Sequence, residues 1–303
     1  MTRRQEREEY RAGGNGYYHF CTDGLSGGLI FNNVTQFAFG MILMGLVCLK
    51  IPITIYAFVL MPNHVHIVFK GTGAQGLAVF DYLKRKLSAM LQRDGFTTLP
   101  EDYWFKLVKL DDEEQLRREI LYVLRNPLEK GLGTVGGYLW GSGWIYYSDF
   151  AQALGGTEAK LMSKRKKIKY FTSEESIPDH WKTHPYLGLL PDSFVDIAKV
   201  KELFPSPKDL QTSLVKDYEI FFQIANRLGE LCEFSKAEIS GIVNQVLHTR
   251  FEGKSLNMLR ESEKGKLAII LNREYGLNSY QISTSIFIKE KVVRQLLNSK
   301  ELR

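Results

Sequence analysis

Two histidines separated by one residue sit inside an apolar run, MPNHVHIVFK, Met61 to Lys70. Strand alternation puts His64, His66 and Val68 on one face and Val65, Ile67 and Phe69 on the other. Two imidazoles at i and i+2 lie side by side, close enough to hold one divalent ion through a nitrogen each. The same pair can equally be a hydrogen-bonded structural couple, and the motif alone leaves both roles open. A second group lies in DDEEQLRREILYVLRNP, Asp111 to Pro127. Helical spacing puts Tyr122 and Asn126 about one turn apart on one side, with Arg118 a turn before them. A tyrosine near a metal can be a nucleophile, and an asparagine carbonyl oxygen can be a hard ligand. Each also has a plainer role: Tyr122 as a half-buried aromatic beside Leu121 and Leu124, Asn126 as the cap of a helix stopped by Pro127.

The elements that must hold these groups follow from the flanking sequence. Tyr17 to Thr22 (YYHFCT) reads as a strand, and Asn33 to Lys50 as a helix capped by Asn33. Ile53 to Leu60 (ITIYAFVL) is β-branched and aromatic, as strands prefer. Met61-Pro62-Asn63 is a turn, and His64 to Lys70 the next strand. Leu77 to Arg93 has helical periodicity, Tyr103 to Leu110 is a fourth strand, and Asp111 to Arg125 is a helix with an acidic first turn. The order β-α-β-β-α-β-α predicts an α+β fold, an antiparallel sheet of ferredoxin-like type with helices.

A glycine-rich stretch, Gly131 to Gly143, and a basic run, Lys160 to Lys169 (KLMSKRKKIK), place a domain boundary near residues 151–170. The remainder reads as all-α. Ser206 to Asp209 starts one helix and Ser235 to Glu238 is a capping box. Lys264 to Tyr275 is a helix ended by Gly276, followed by helices over Asn278 to Ile286 and Lys289 to Asn298. This last part resembles a helix-turn-helix module, in which Lys289, Lys291 and Arg294 would meet DNA. A plain trihelical bundle with Leu267, Ile270, Leu271, Ile282, Val293 and Leu297 as core reads equally well. The expected division is 1–155 for the first domain, 156–230 for a basic linker and helical connector, and 231–303 for the helix-turn-helix-like domain.

Composition is that of an ordinary globular protein: 303 residues, 44% hydrophobic and 24% charged. Forty Lys and Arg against 34 Asp and Glu give +6, a mild bias toward a polyanionic partner. Cys21, Cys48 and Cys232 are widely spaced and odd in number, which predicts neither a disulfide framework nor a cysteine zinc site, and a reducing compartment. The charged opening MTRRQEREEY lacks the apolar core of a secretion signal. Lys50 and Pro52 split the apolar region Phe37 to Met61 into pieces shorter than the ~20 residues of a membrane span, so no membrane is expected.

Taken together, the two chemical groups form a pattern. MPNHVHIV resembles the His-hydrophobic-His motif of the HUH endonucleases. The order of parts resembles the single-tyrosine transposases, and within them the REP-associated tyrosine transposase group. The matching stretches are YAFVLMPNHVHIV and YVLRNPLEKGL, with Tyr138-Leu-Trp140-Gly-Ser142 as a looser third. The likeness runs from Tyr17 to Phe150. It implies a catalytic set of Tyr122, His64 and His66, in which the two histidines, with Asn126 as third ligand, hold Mg²⁺ or Mn²⁺. It also implies that Tyr122 cuts single-stranded DNA, forming a 5′-phosphotyrosine. A phenol ordinarily ionises near pH 10, so the ion or a cation such as Arg118 or Arg125 must help form the phenolate. Lys84, Arg85 and Lys86 would suit a DNA backbone, though a solvated helix face is their default role. The implied partner is hairpin-containing single-stranded DNA, the implied state monomer or homodimer, and the implied location the bacterial cytoplasm at the nucleoid. One departure stands out: FAFGMILMGLVCLK is apolar where these transposases are arginine-rich, which suggests a buried or dimer-facing helix. Two other functions compete, a non-catalytic DNA-binding regulator and a hydrolase that uses the histidine pair with water.

Overall fold

The structure is a computed structural model that describes residues 2–25, 28–147, 153–173, 175–216, 218–228, 236–275, 277 and 279–298. The chain divides into two compact units, Met1–Lys216 and Asp217–Arg303.

Four strands form the main sheet of the first unit: β1 (Gly16–Thr22), β2 (Thr54–Met61), β3 (His64–Gly71) and β4 (Phe105–Leu110). They lie in the order β2-β3-β1-β4, and every neighbouring pair is antiparallel. Pro62 and Asn63 make the turn between β2 and β3, leaving Met61 opposite His64. Four helices accompany the sheet: α1 (Arg3–Ala12), α2 (Val34–Lys50), α3 (Gly73–Arg93) and α4 (Glu113–Glu129). Asn33, Thr72 and Asp112 cap α2, α3 and α4, each side chain accepting a backbone N–H three residues on. The expected elements are thus present with small boundary shifts. Helix α1 is an addition, because it buries no residue and carries no apolar stripe for a sequence reading to find. A Thr2–Gln5 capping box starts it, Glu6 accepts the Trp104 indole N–H, and Arg3 and Arg7 lie over the Trp104 ring.

Direct cross-strand partners share a face of the sheet. The pairings His19 with Val68 and Cys21 with His66 put the histidine face on one side, while Phe20 pairs with Leu107 on the other. Helices α2 and α3 cover the Phe20 face: Phe80 of α3 stacks on Phe105, and Gly40 of α2 lies against Leu60. Helix α4 covers the histidine face, where Glu119 meets His19.

The apolar helix α2 is buried within this unit, since Gly45 lets it close onto Trp181 and Leu189. Among the described residues no helix is long and apolar enough to cross a membrane. Helix α4 corrects one expectation: Pro127 does not stop it, and it runs to Glu129. Proline removes only the N–H aimed at the Val123 carbonyl. The last turn is closed instead by Lys130 N–H to Asn126 O and Leu132 N–H to Pro127 O.

Residues 157–216 also differ from expectation. They pack with the first unit and are not a linker, because Trp181, Leu189, Leu190, Val200 and Phe204 carry too much apolar surface to leave in water. They form a small sheet of Thr157–Glu158, Lys182–His184 and Gly188–Leu189, and helices Lys164–Phe171, Ile197–Leu203 and Pro207–Lys216. Lys164 to Lys169 of the basic run lie on the first of these helices, and Ser206 Oγ accepts the Asp209 N–H at the start of the last. The second unit contains helices Tyr218–Leu228, Lys236–Arg250, Glu261–Tyr275, Ser279–Ile286 and Glu290–Asn298. Leu267, Ala268, Leu271, Ile282, Ile286 and Val293 are buried in it. Ser235, Gly276, Asn278, Cys232 and Phe150 lie outside the described residues.

Candidate active site

His64 and His66 point from β3 into the buried space under α4, with ring centroids 4.8 Å apart and planes nearly perpendicular. Each ring is held through Nδ1. For His64 the partner is Asn63 Oδ1 at 2.7 Å, supplied by the turn that precedes the strand. For His66 it is His19 Nε2 at 3.0 Å, supplied by the neighbouring strand β1. His19 Nδ1 in turn lies 2.5 Å from Glu119 Oε2 on α4, and both of these side chains are buried. The Tyr122 ring stands 5.6 Å from His66 and 5.7 Å from His19, centroid to centroid. Sheet and helix therefore meet on a connected set, Glu119–His19–His66, with Tyr122 against both imidazoles.

Asn126 follows one turn later. Its amide donates to the Tyr122 carbonyl at 3.2 Å, and among the described residues no donor meets its buried Oδ1. A buried acceptor left so costs about 1–3 kcal/mol, and a cation is one way to satisfy it. Imidazole nitrogens and an amide oxygen are donor types that a divalent ion accepts. No group of three or more His, Cys, Asp or Glu side chains among the described residues is arranged to hold a metal.

The sequence reading reached His64, His66, Tyr122 and Asn126, and the fold brings the first three together. It did not single out His19 or Glu119. The available signals were His19 alternating with Tyr17 and Cys21 in β1, and Glu119 three residues before Tyr122 on the same helix face. It also passed over Lys106, which shares the cross-strand row Val59, His66, Cys21, Lys106 on this face.

The other expected residues lie elsewhere. Lys84, Arg85 and Lys86 belong to α3, on the opposite face of the sheet. Lys84 donates to the carbonyls of Glu101 and Tyr103, and burial, then Arg3 and Arg7 nearby, holds its ammonium below the usual lysine range. Arg85 and Lys86 lie over the Tyr82 ring. Arg118 pairs with Glu114 on the exposed side of α4. Arg125 is not on a DNA-facing surface: it is buried, ion-paired with Glu129, and donates to the Leu214 carbonyl. Lys289, Lys291 and Arg294 are exposed in the second unit, with Arg294 paired to Glu290. The Tyr138–Ser142 stretch is structural. The Tyr138 hydroxyl donates to the Leu60 carbonyl, burial pushes that phenol's pKa up, and Ser142 Oγ accepts the Phe58 N–H.

No protein-family model matches the chain, and no curated protein matches it. A solved structure described as "Structure of the REP associates tyrosine transposase bound to a REP hairpin" is similar at 17% identity. The likeness covers 41% of this chain and 74% of that one, with a TM-score of 0.33. At that level it assigns neither fold nor family.

Proposed function

We propose that the first unit is a metal-dependent enzyme that nicks single-stranded DNA and transfers strands, with Tyr122 as nucleophile. The observation that carries this reading is the approach of Tyr122 to His66, ring to ring at 5.6 Å. Two groups far apart in sequence meet there on one buried face. His64, His66 and Asn126 would hold Mg²⁺ or Mn²⁺, which when bound supplies Lewis-acid polarisation of the phosphate. Tyr122 Oη attacks phosphorus in line: the Oη–P bond forms and the P–O3′ bond breaks. The phenolic proton is lost, and the departing 3′ oxygen takes up a proton to leave a free 3′-OH. That hydroxyl, or one from another strand, attacks the 5′-phosphotyrosine in reverse, so strands exchange without an external energy source. In this reading Lys106 adds positive charge on the same face. The strand order β2-β3-β1-β4 supports a ferredoxin-like palm. The last two helices then serve as a helix-turn-helix reader of hairpin-bearing DNA, with Lys289, Lys291 and Arg294 at the phosphates.

Tyr122 is 1% exposed, so a strand reaches it only after its cover shifts. The same enclosure favours a second reading, a regulator that binds DNA and does not cut it. Both are tested with purified protein, Mn²⁺ and labelled hairpin-bearing single-stranded oligonucleotides on a denaturing gel, beside Tyr122→Phe. The enzyme reading expects a slow covalent band that needs metal and disappears in the variant. Cleavage that survives Tyr122→Phe would mean a metal-activated water and would remove the tyrosine from the mechanism. Tight metal-independent binding with no band would establish the regulator.

A further inference from the structure

The buried chain of contacts behind His66 has a direction. A carboxylate only accepts hydrogen bonds, so Glu119 Oε2, 2.5 Å from His19 Nδ1, takes the N–H from that nitrogen. A neutral imidazole protonated at Nδ1 carries its lone pair on Nε2. With His19 neutral, its Nε2, 3.0 Å from His66 Nδ1, accepts there and His66 Nδ1 is the donor. The His66 lone pair is then on Nε2. His64 reaches the same state by a separate route, because Asn63 Oδ1 accepts from its Nδ1 at 2.7 Å. Two unrelated devices, one a turn side chain and the other a relay across two strands and a helix, give neighbouring imidazoles the same tautomer.

We propose that Glu119 and His19 are positioning residues: Glu119, acting through His19, fixes His66 in the tautomer whose lone pair lies on Nε2, the form that ligates a divalent cation. The use of that lone pair rests on the metal-site reading above. The tautomer itself rests only on the contacts. Water cannot substitute easily for this relay, since His19 and His66 are fully enclosed. Holding a ligand histidine by a partner on its other nitrogen raises its basicity and removes the wrong ring orientation. The arrangement therefore does more than fill a core. An apolar pair of the same volume would pack without buried polar groups, and it would leave His66 undirected.

The test uses the full chain with ¹⁵N-labelled histidine, free of metal, at about pH 8 where ordinary imidazoles are neutral. Long-range ¹H–¹⁵N spectra, with His66 assigned by its loss in His66→Ala, report which nitrogen carries the proton. The wild type is expected to show His66 protonated at Nδ1. In Glu119→Gln the amide can donate as well as accept, so the chain loses its direction. His66 is then expected to shift to the Nε2–H form or a mixture, and Mn²⁺ affinity by calorimetry to fall about 10–100-fold. A wild-type His66 protonated at Nε2 would overturn the proposal, and that spectrum decides it even if the variant fails to fold. So would a folded Glu119→Gln protein with unchanged tautomer and unchanged Mn²⁺ affinity. If His66→Ala abolishes Mn²⁺ binding and Glu119→Gln does not weaken it, the relay falls and the metal site stands. If the wild type binds no Mn²⁺, the metal site falls, and the tautomer alone decides whether the relay exists.

Discussion

At the scale of single residues, α4 carries two ion pairs with the same i, i+4 spacing and different consequences. Arg118 and Glu114 are exposed, whereas Arg125 and Glu129 are buried. Removing Glu114 leaves a solvated arginine, and Glu114→Ala is expected to change stability by no more than about 0.5 kcal/mol. Removing Glu129 strands a guanidinium under residues 203–216, and Glu129→Ala is expected to cost on the order of 3 kcal/mol. Denaturant unfolding checks both, as a shift of midpoint at unchanged slope. Equal shifts would mean that Arg125 reaches water. The two pairs look alike in the sequence, since nothing near Arg125 announces the segment that covers it. The same limit explains what was legible in the site. The His-x-His alternation and the Tyr122–Asn126 spacing are local and readable. His19 and Glu119 are a hundred residues apart and become a pair only when β1 and α4 meet.

At the scale of elements, two helical glycines make opposite forecasts. A Cβ on Gly45 of α2 would overlap Leu189 Cδ2 and crowd the Trp181 ring. Gly45→Ala is therefore expected to destabilise by about 1–3 kcal/mol. A Cβ on Gly241, exposed in helix Lys236–Arg250, meets nothing within 4 Å among the described residues, and Gly241→Ala is expected to stabilise its helix by about 0.5–1 kcal/mol. Thermal melts of both variants check the pair, and a neutral Gly45→Ala would show that α2 does not seat against Leu189. Strands and the long helices were legible here because their periodicity is strong. Helix α1 was not, because its order comes from Trp104, far along the chain, and not from a stripe of its own. The end of α4 was misread for a related reason. Proline's local penalty was clear in sequence, and the bonds from Lys130 and Leu132 that offset it were not.

At the scale of the whole molecule, the division of the chain after Lys216 was hidden by composition. A glycine-rich stretch and a basic run looked like a boundary, yet the apolar residues beyond them fold back onto α2 and α4. The sheet shows a further property of that folding. Its β4 edge carries Lys106 and Lys109, charges that discourage another strand from docking. Its β2 edge has no such charges and is closed instead, by Val195 and Asp196 at Ile55 and by residues 138–146 along the rest. The Trp140 carbonyl takes the Leu60 N–H, Gly141 bridges Val59, Ser142 Oγ takes the Phe58 N–H, and the Tyr146 hydroxyl donates to the Tyr56 carbonyl. That segment is a gasket. If it loosens, an apolar strand offers its backbone to other copies, and the failure is aggregation before it is unfolding. A Ser142→Ala, Tyr146→Phe double variant should therefore scatter light at temperatures where its far-UV circular dichroism is still native. Loss of both signals together would mean that the edge is sealed by something else.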